Sequence, residues 1–189
     1  MNRKPTWIWI FILFVLFNTL ACTIFVGGPK YPEERIPISP EAVDSLEISL
    51  AEALAESAIT GNFSLNVTET QLTSFLANRL ATQKRPLFTE PQVYLRDGQI
   101  QIYGRVERGP FTATIRILLT AGLDHNGKMT LQLTSADFGP LPVPAGLQEF
   151  FTGLLEEAFT GPIGPLATGI RLTEIQIANG TMSLKGQVR

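Results

Sequence analysis

The side chains that could do chemistry in this 189-residue chain are few and scattered. His125 is the only histidine, and it stands in a predicted turn between Asp124 and Asn126. Cys22 is the only cysteine, and it lies in an apolar leader. A metal site needs several converging ligands, and a nucleophile needs a base beside it. The sequence therefore predicts no catalytic residue, no metal site and no cofactor, and we expect a protein that is not an enzyme.

The charged residues favour surface contacts over catalysis. The formal net charge of −2 excludes a generally basic nucleic-acid binder. Between Arg79 and Arg116, however, seven basic residues outnumber three acidic ones. Such a patch suits anionic lipid headgroups, with Arg79, Lys84 and Arg85 as candidates, and ordinary solvation of polar strand faces is the alternative.

The leader predicts a membrane segment over residues 1–28. Residues 7–26 carry no charge, and Arg3 and Lys4 precede them, so the domain that follows is expected outside the cytoplasm, anchored at the cell membrane. Three interpretations stay open: a retained span, a lipoprotein signal with Cys22 as the acylated first residue, and a plainly cleaved signal. Gly and Pro residues then predict a linker over residues 29–39, and residues 40–189 suit one domain.

Three amphipathic helices are predicted to position the apolar surface of that domain. Ser39 and Pro40 begin a helix over Pro40–Thr60, which Gly61 ends. A capping-box pattern begins a second helix over Glu69–Ala81. A third helix with a wide apolar stripe is expected over residues 146–160.

The longest pattern in the chain is Phe111–Leu123, whose odd positions are apolar and whose even positions are mostly polar. This alternation is typical of a half-buried antiparallel strand, roughly 40 Å long at ~3.4 Å per residue. Turn residues then predict the register of the neighbouring hairpins, because apolar residues must meet apolar residues. The predicted pairs are Leu95 with Ile100, Val106 with Phe111, Leu123 with Met129, and Ile177 with Met182.

The sequence thus predicts an α+β domain. One long, coiled antiparallel sheet, a meander of about seven strands, carries the three helices on its apolar face. Small residues such as Gly104 and Ala113 would leave room on that face for an apolar ligand, and a dry packed core is the alternative. The residues that would line such a trough are Phe111, Ile115, Ile117, Leu119, Phe150, Phe151, Leu154 and Leu155.

The order of these elements resembles the LmeA-like and YpmS-like extracytoplasmic proteins. The features that match are a capped helix from Thr68, a strand–turn–strand unit around Asp97-Gly98, a Pro-broken segment leading into an apolar helix from Gly139, and a closing hairpin at Asn179-Gly180. The resemblance covers roughly residues 62–189. It implies a relation to tubular lipid-binding proteins, with a rolled sheet and a helix enclosing lipid, and it supplies no catalytic residues.

Two functional hypotheses follow from the residues and the resemblance together. In the first, a membrane-tethered extracytoplasmic protein binds a membrane lipid or another apolar ligand inside its curved sheet. In the second, a non-enzymatic scaffold or assembly module with a dry core binds an envelope protein through a strand edge.

Overall fold

The computed structural model describes residues 23–160 and 169–188, with side chains up to Leu154 in the first range. Residues 1–22 of the leader, including Cys22, lie outside the described residues. None of the helices in the described ranges is long and apolar enough to cross a bilayer. The helices are α1 (Pro40–Thr60), α2 (Glu69–Ala81) and α3 (Leu147–Thr160). The strands in these ranges are β1 (Ile24–Phe25), β2 (Asn62–Thr68), β3 (Thr89–Arg96), β4 (Gln99–Arg108), β5 (Phe111–Leu123), β6 (Met129–Asp137), β7 (Ile170–Ala178) and β8 (Thr181–Val188).

Local capping chemistry fixes where the helices begin and end. The hydroxyl of Ser39 accepts the N–H of Ala42, and Gly61 ends α1 in the left-handed conformation at φ 73°. At α2, the Thr68 hydroxyl accepts the Gln71 N–H while the Gln71 side chain accepts the Thr68 N–H. The predicted bounds of α1 and α2 are confirmed, and α3 begins one residue later than predicted.

Strand β5 is the centre of a five-stranded sheet. Strand β4 pairs along one edge of β5 and β3 pairs with β4. The other edge of β5 is shared, because antiparallel β6 covers residues 116–123 and parallel β1 covers Phe111 and Thr112. The predicted stagger of the neighbours around this strand is confirmed, whereas the short parallel strand was not predicted.

The remaining strands form a second sheet in the order β2-β8-β7. Single backbone hydrogen bonds join the two sheets at their rims: Leu172 N–H donates to Gly127 O at 2.8 Å, and Gly180 N–H donates to Leu95 O at 3.2 Å. The α+β class with an antiparallel sheet and three helices is confirmed. The prediction of one continuous sheet is wrong, because these links are isolated bonds and not a ladder.

Three of the four predicted hairpin registers are confirmed. Their turns contain residues that tolerate positive φ, namely Asp97-Gly98, Gly127 and Asn179-Gly180. The observed pairs are Leu95 with Ile100, Leu123 with Met129, and Ile177 with Met182.

The predicted β4–β5 register is wrong by two residues. Val106 pairs with Ala113 and not with Phe111, because the connection is a two-residue turn at Gly109-Pro110. Gly109, at φ 59°, suits the first central position of a type II′ turn. A shift of two residues keeps each side chain on its face, so the inward-facing set is unchanged.

A bulge in β6 changes which residues face the core. Leu133 lies opposite Leu119, but Ser135 lies opposite Leu118, so Thr134 is an extra residue. Beyond the bulge, Ala136 lies opposite the buried Ile117. The bulge therefore directs a small apolar residue inward where simple alternation would have directed a polar one.

Candidate functional site

The centre of the inner face is closed. Ile115, Ile117 and Leu119 are at most 1% exposed, and Leu95 and Ile102 on the neighbouring strands are also buried. α1, α2 and β2 contribute further buried side chains on this side of the molecule, including Leu54, Leu76, Leu80 and Phe63. Three of the predicted ligand-lining residues are therefore part of a packed core.

Phe88 fills the space that Gly104 was expected to leave open. A Cβ atom at Gly104 would lie 2.6 Å from Cδ2 of Phe88, whose side chain is only 1% exposed. The Phe88 ring meets the Phe150 ring edge-on with centroids 6.5 Å apart, and Phe150 meets Phe151 at 5.1 Å. The prediction of free room at Gly104 is wrong, and Phe88 is a site residue that the sequence analysis did not identify.

Helix α3 is attached to the free edge of β6 by one side chain. Leu133 N–H donates to Oε1 of Gln148 at 3.1 Å, and Nε2 of Gln148 donates to Leu131 O at 3.2 Å. Two residues further along the helix, Phe150 reaches Phe88 beside β4. The first turn of α3 therefore contacts both the edge of β6 and the Phe88 ring.

Several apolar side chains on α3 and on strands β5 to β7 are only half-buried, whereas the strand residues that face α1 and α2 are buried. We call this set the open half of the inner face. Its members lie on β5, β6, α3 and β7 and are Ala121, Leu123, Leu131, Leu133, Phe150, Leu154, Ile170 and Ile175. A half-covered apolar surface of this kind next to a closed core can accept apolar chains without displacing the core.

The structure separates the predicted ligand-lining residues into groups. Phe150 and Leu154 lie in the open half, and Phe151 is buried beside them at 3% exposure. Phe111 lies at the opposite end of β5, 41% exposed and paired with Ile24. The side chain of Leu155 lies outside the described residues.

The basic patch is partly neutralised by neighbouring acids. Arg96 forms an ion pair with Glu69, and Arg105 lies 3.5 Å from Glu90. Arg79 is half-buried, with its guanidinium 5.8 Å from the centre of the Phe75 ring.

The other two headgroup candidates, Lys84 and Arg85, are exposed in the loop after α2. Three peptide units separate Arg85 from Phe88, so the two Cα atoms are at most about 11 Å apart. The charge of this loop is therefore held near the aromatic contact between Phe88 and α3.

The predicted linker lies against the outer face of β3 and β4. Ile36 N–H donates to Oε1 of Gln92 at 2.6 Å, and Nε2 of Gln92 donates back to Ile36 O at 3.1 Å. The hydroxyls of Tyr31 and Tyr94 donate to the backbone carbonyls of Glu90 and Glu34. Burial raises the pKa of Tyr31 to about 12, and burial also raises the pKa of Tyr94, so both phenols stay protonated donors at neutral pH.

The turn residues show no constellation for catalysis. His125 is exposed, and backbone N–H donors of Lys128 and Asn126 lower the pKa of Asp124 by stabilising its carboxylate. Depressions of about 510 and 390 Å³ lie at strand ends, lined mainly by turn and rim residues such as Asp97, Asn179, Gly127 and Arg171. Across the described ranges, no three potential ligands converge on a metal position.

Comparison with known proteins identifies the family to which this chain belongs. No curated protein and no solved structure matches this chain. A family model described as LmeA-like phospholipid-binding matches residues 34–187, which include all three helices and every strand except β1. The match extends over most of the chain and includes the whole open half. The chain therefore belongs to the LmeA-like phospholipid-binding family.

Proposed function

We propose that this protein binds a phospholipid with its acyl chains against the open half of the inner face. We further propose that its leader holds it at the outer surface of the cytoplasmic membrane. Membership of a phospholipid-binding family supports the ligand class. The apolar leader of residues 7–26, preceded by Arg3 and Lys4, supports the tether.

The half-burial of the side chains around α3 is the observation that carries the choice of site. The strand residues that face α1 and α2, such as Phe63 and Val93, are buried. On the open half, in contrast, the strand residues Leu131 and Leu133 retain accessible apolar surface, as does Leu154 on α3. Covering that surface with acyl chains would remove it from water, at roughly 25 cal/mol for each Å². A lipid bound there would contact α3, β6 and the end of β5.

The exposed cations of the loop after α2 suit the headgroup. Lys84 and Arg85 lie within a few residues of Phe88, which contacts α3 through Phe150. A phosphate near this loop would meet positive charge while the acyl chains extend along the apolar residues. Arg79 contributes to the same basic character from the end of α2.

A photoactivatable phospholipid tests this site directly. The full chain in detergent is incubated with phosphatidylglycerol that carries a diazirine in one acyl chain, then irradiated and digested. We expect adducts on peptides of α3 and β6. Ala121→Phe should abolish most of this labelling, because Ala121 is half-buried opposite Leu131 and a ring there would occupy the open half.

Ala51→Phe is the matched control, since Ala51 is exposed on α1 and its replacement leaves the inner face unchanged. Equal labelling of wild type, Ala121→Phe and Ala51→Phe would contradict the proposed site. A folded chain that gains no adduct in α3 or β6 would instead favour a scaffold with a dry core.

A further inference from the structure

Residues 23–28 complete the edge of β5 that β6 leaves uncovered. Ile24 N–H donates to Pro110 O at 2.6 Å, and Val26 N–H donates to Thr112 O at 2.8 Å. Thr114 N–H then donates to Gly27 O at 3.1 Å. The last residues of the apolar leader, Ile24–Val26, are therefore bound to the sheet.

Three large apolar side chains are exposed where this strand meets β5. Ile24 is 54% exposed, Phe25 63% and Phe111 41%, and Ile24 is the register partner of Phe111. We call Ile24, Phe25 and Phe111 the apolar corner. Neighbouring Arg108 and Glu107 carry opposite charges, so the apolar side chains and not net charge define this surface. Ile24 and Phe111 lie on one face of the sheet and Phe25 on the other, so this end of the sheet exposes apolar side chains on both faces. Exposed apolar groups of this kind mark contact surfaces for proteins or membranes.

The position of the leader decides between those two partners. Two peptide units separate Cys22 from Ile24, so their Cα atoms are at most about 7 Å apart. Adjacent strands lie ~4.8 Å apart, which places Phe111 within about 12 Å of Cys22. The headgroup layer is roughly 5–8 Å thick on each side of a bilayer. Whether the tether is a span that ends near Cys22 or an acyl group on Cys22, Ile24 lies within about one layer thickness of it. The side chains of Phe25 and Phe111 extend from Cα atoms that are at most about 12 Å from Cys22.

The attachment of the predicted linker to the sheet keeps the apolar corner in place. Residues 30–38 are fixed to the outer sheet face by the two hydrogen bonds between Gln92 and Ile36 and by Tyr31. A freely jointed linker would let the domain turn in any direction relative to the membrane. In this protein, by contrast, the residues that follow the leader are hydrogen-bonded to the sheet, so this part of the chain is not a free linker.

From this geometry we infer that the apolar corner inserts into the headgroup region of the phospholipid bilayer that holds the leader. The turn between β4 and β5 then points to the membrane, and the domain has one fixed orientation. This inference rests on the membrane tether proposed above and is independent of lipid binding in the open half.

Site-specific photo-crosslinking in the full chain tests the inference. The chain is reconstituted into vesicles of phosphatidylglycerol and phosphatidylethanolamine, with p-benzoylphenylalanine replacing Phe25, Phe111 or, as a control, Ile59. Ile59 is 87% exposed on α1 and lies away from β5. We expect lipid adducts at positions 25 and 111 and none at position 59, measured by mass spectrometry after vesicle flotation.

The other possible outcomes of this experiment contradict either the apolar corner alone or the corner and the tether together. A chain that floats with the vesicles but forms no lipid adduct at positions 25 and 111 overturns the corner while leaving the tether intact. Adducts at those positions to a second copy of the chain, or equal lipid labelling at position 59, also overturn it. A chain that does not float overturns the tether and the corner together, whereas diazirine labelling in the open half is unaffected by either result.

Discussion

Gly104 and Phe88 share one space on the inner face, and they determine how far that face is filled. The ring of Phe88 occupies the volume that a Cβ at position 104 would need. Alternation along β4 predicted the inward direction of Gly104 but not what lies against it. Phe88 stands before β3 in a stretch without periodicity, next to a bulge at which Glu90 has a φ of 49°. No local pattern indicates that its ring reaches β4.

Gly104→Ala should therefore destabilise the protein by about 1–3 kcal/mol, the usual cost of overpacking a filled core. Gly122→Ala is the matched control, because the nearest atom to its added Cβ would be the Thr130 hydroxyl at 3.5 Å. Chemical denaturation of both variants measures the free energy of unfolding. Adding Phe88→Leu should recover part of the loss at position 104, and a double-mutant cycle without coupling would contradict the shared space.

Helix α3 and strand β6 form a unit that depends on one amide. Gln148 satisfies a donor and an acceptor on the edge of β6, which would otherwise be open to water or to another chain. The element bounds on either side were predictable, because caps and turn residues act locally. The contact between Gln148 and β6 was not predictable, because the sequence shows Gln148 only as an ordinary polar residue at the start of an amphipathic helix.

Gln148→Met keeps the side-chain length and removes both hydrogen bonds. The expected loss of stability is about 1–3 kcal/mol, from two bonds of ~0.5–1.5 kcal/mol each. Hydrogen exchange should accelerate in α3 and at Leu133 while β2 and β8 keep their protection. Glu149→Gln, at the exposed neighbouring position, is the control. Uniform acceleration over the whole molecule would contradict a local role for Gln148.

On the scale of the whole molecule, two sheets and a docked N-terminal segment replace the single predicted sheet. Turn length determined three registers. Pairing Val106 with Phe111 leaves Glu107–Pro110 as a four-residue connection, whereas Glu107 and Arg108 continue the ladder at an exposed end. Strand β1 was not predicted, and the reason is different. Its residues are apolar and continuous with the leader, so composition alone assigns them to the membrane segment.

The docked linker makes a prediction about the whole chain. Gln92→Leu removes both hydrogen bonds to Ile36, and residues 30–38 should detach from the sheet while the core stays folded. Trypsin should then cleave after Arg35 faster than in wild type, as followed by mass spectrometry. Gln132→Leu, at an exposed position on β6, controls for surface apolarity. Unchanged cleavage in Gln92→Leu would contradict this role of Gln92 and show that other contacts, such as the Tyr31 and Tyr94 hydrogen bonds, retain the segment.

The parallel pairing of β1 has a consequence for handling shortened versions of the chain. Removal of the residues before position 29 would strip the partner groups from Pro110 O, Thr112 O and Thr114 N–H. An unpaired strand border of this length is a template for recruiting another molecule, and self-association through β5 would follow. We therefore expect residues 24–27 to protect the central strand from aggregation in addition to joining it to the rest of the leader.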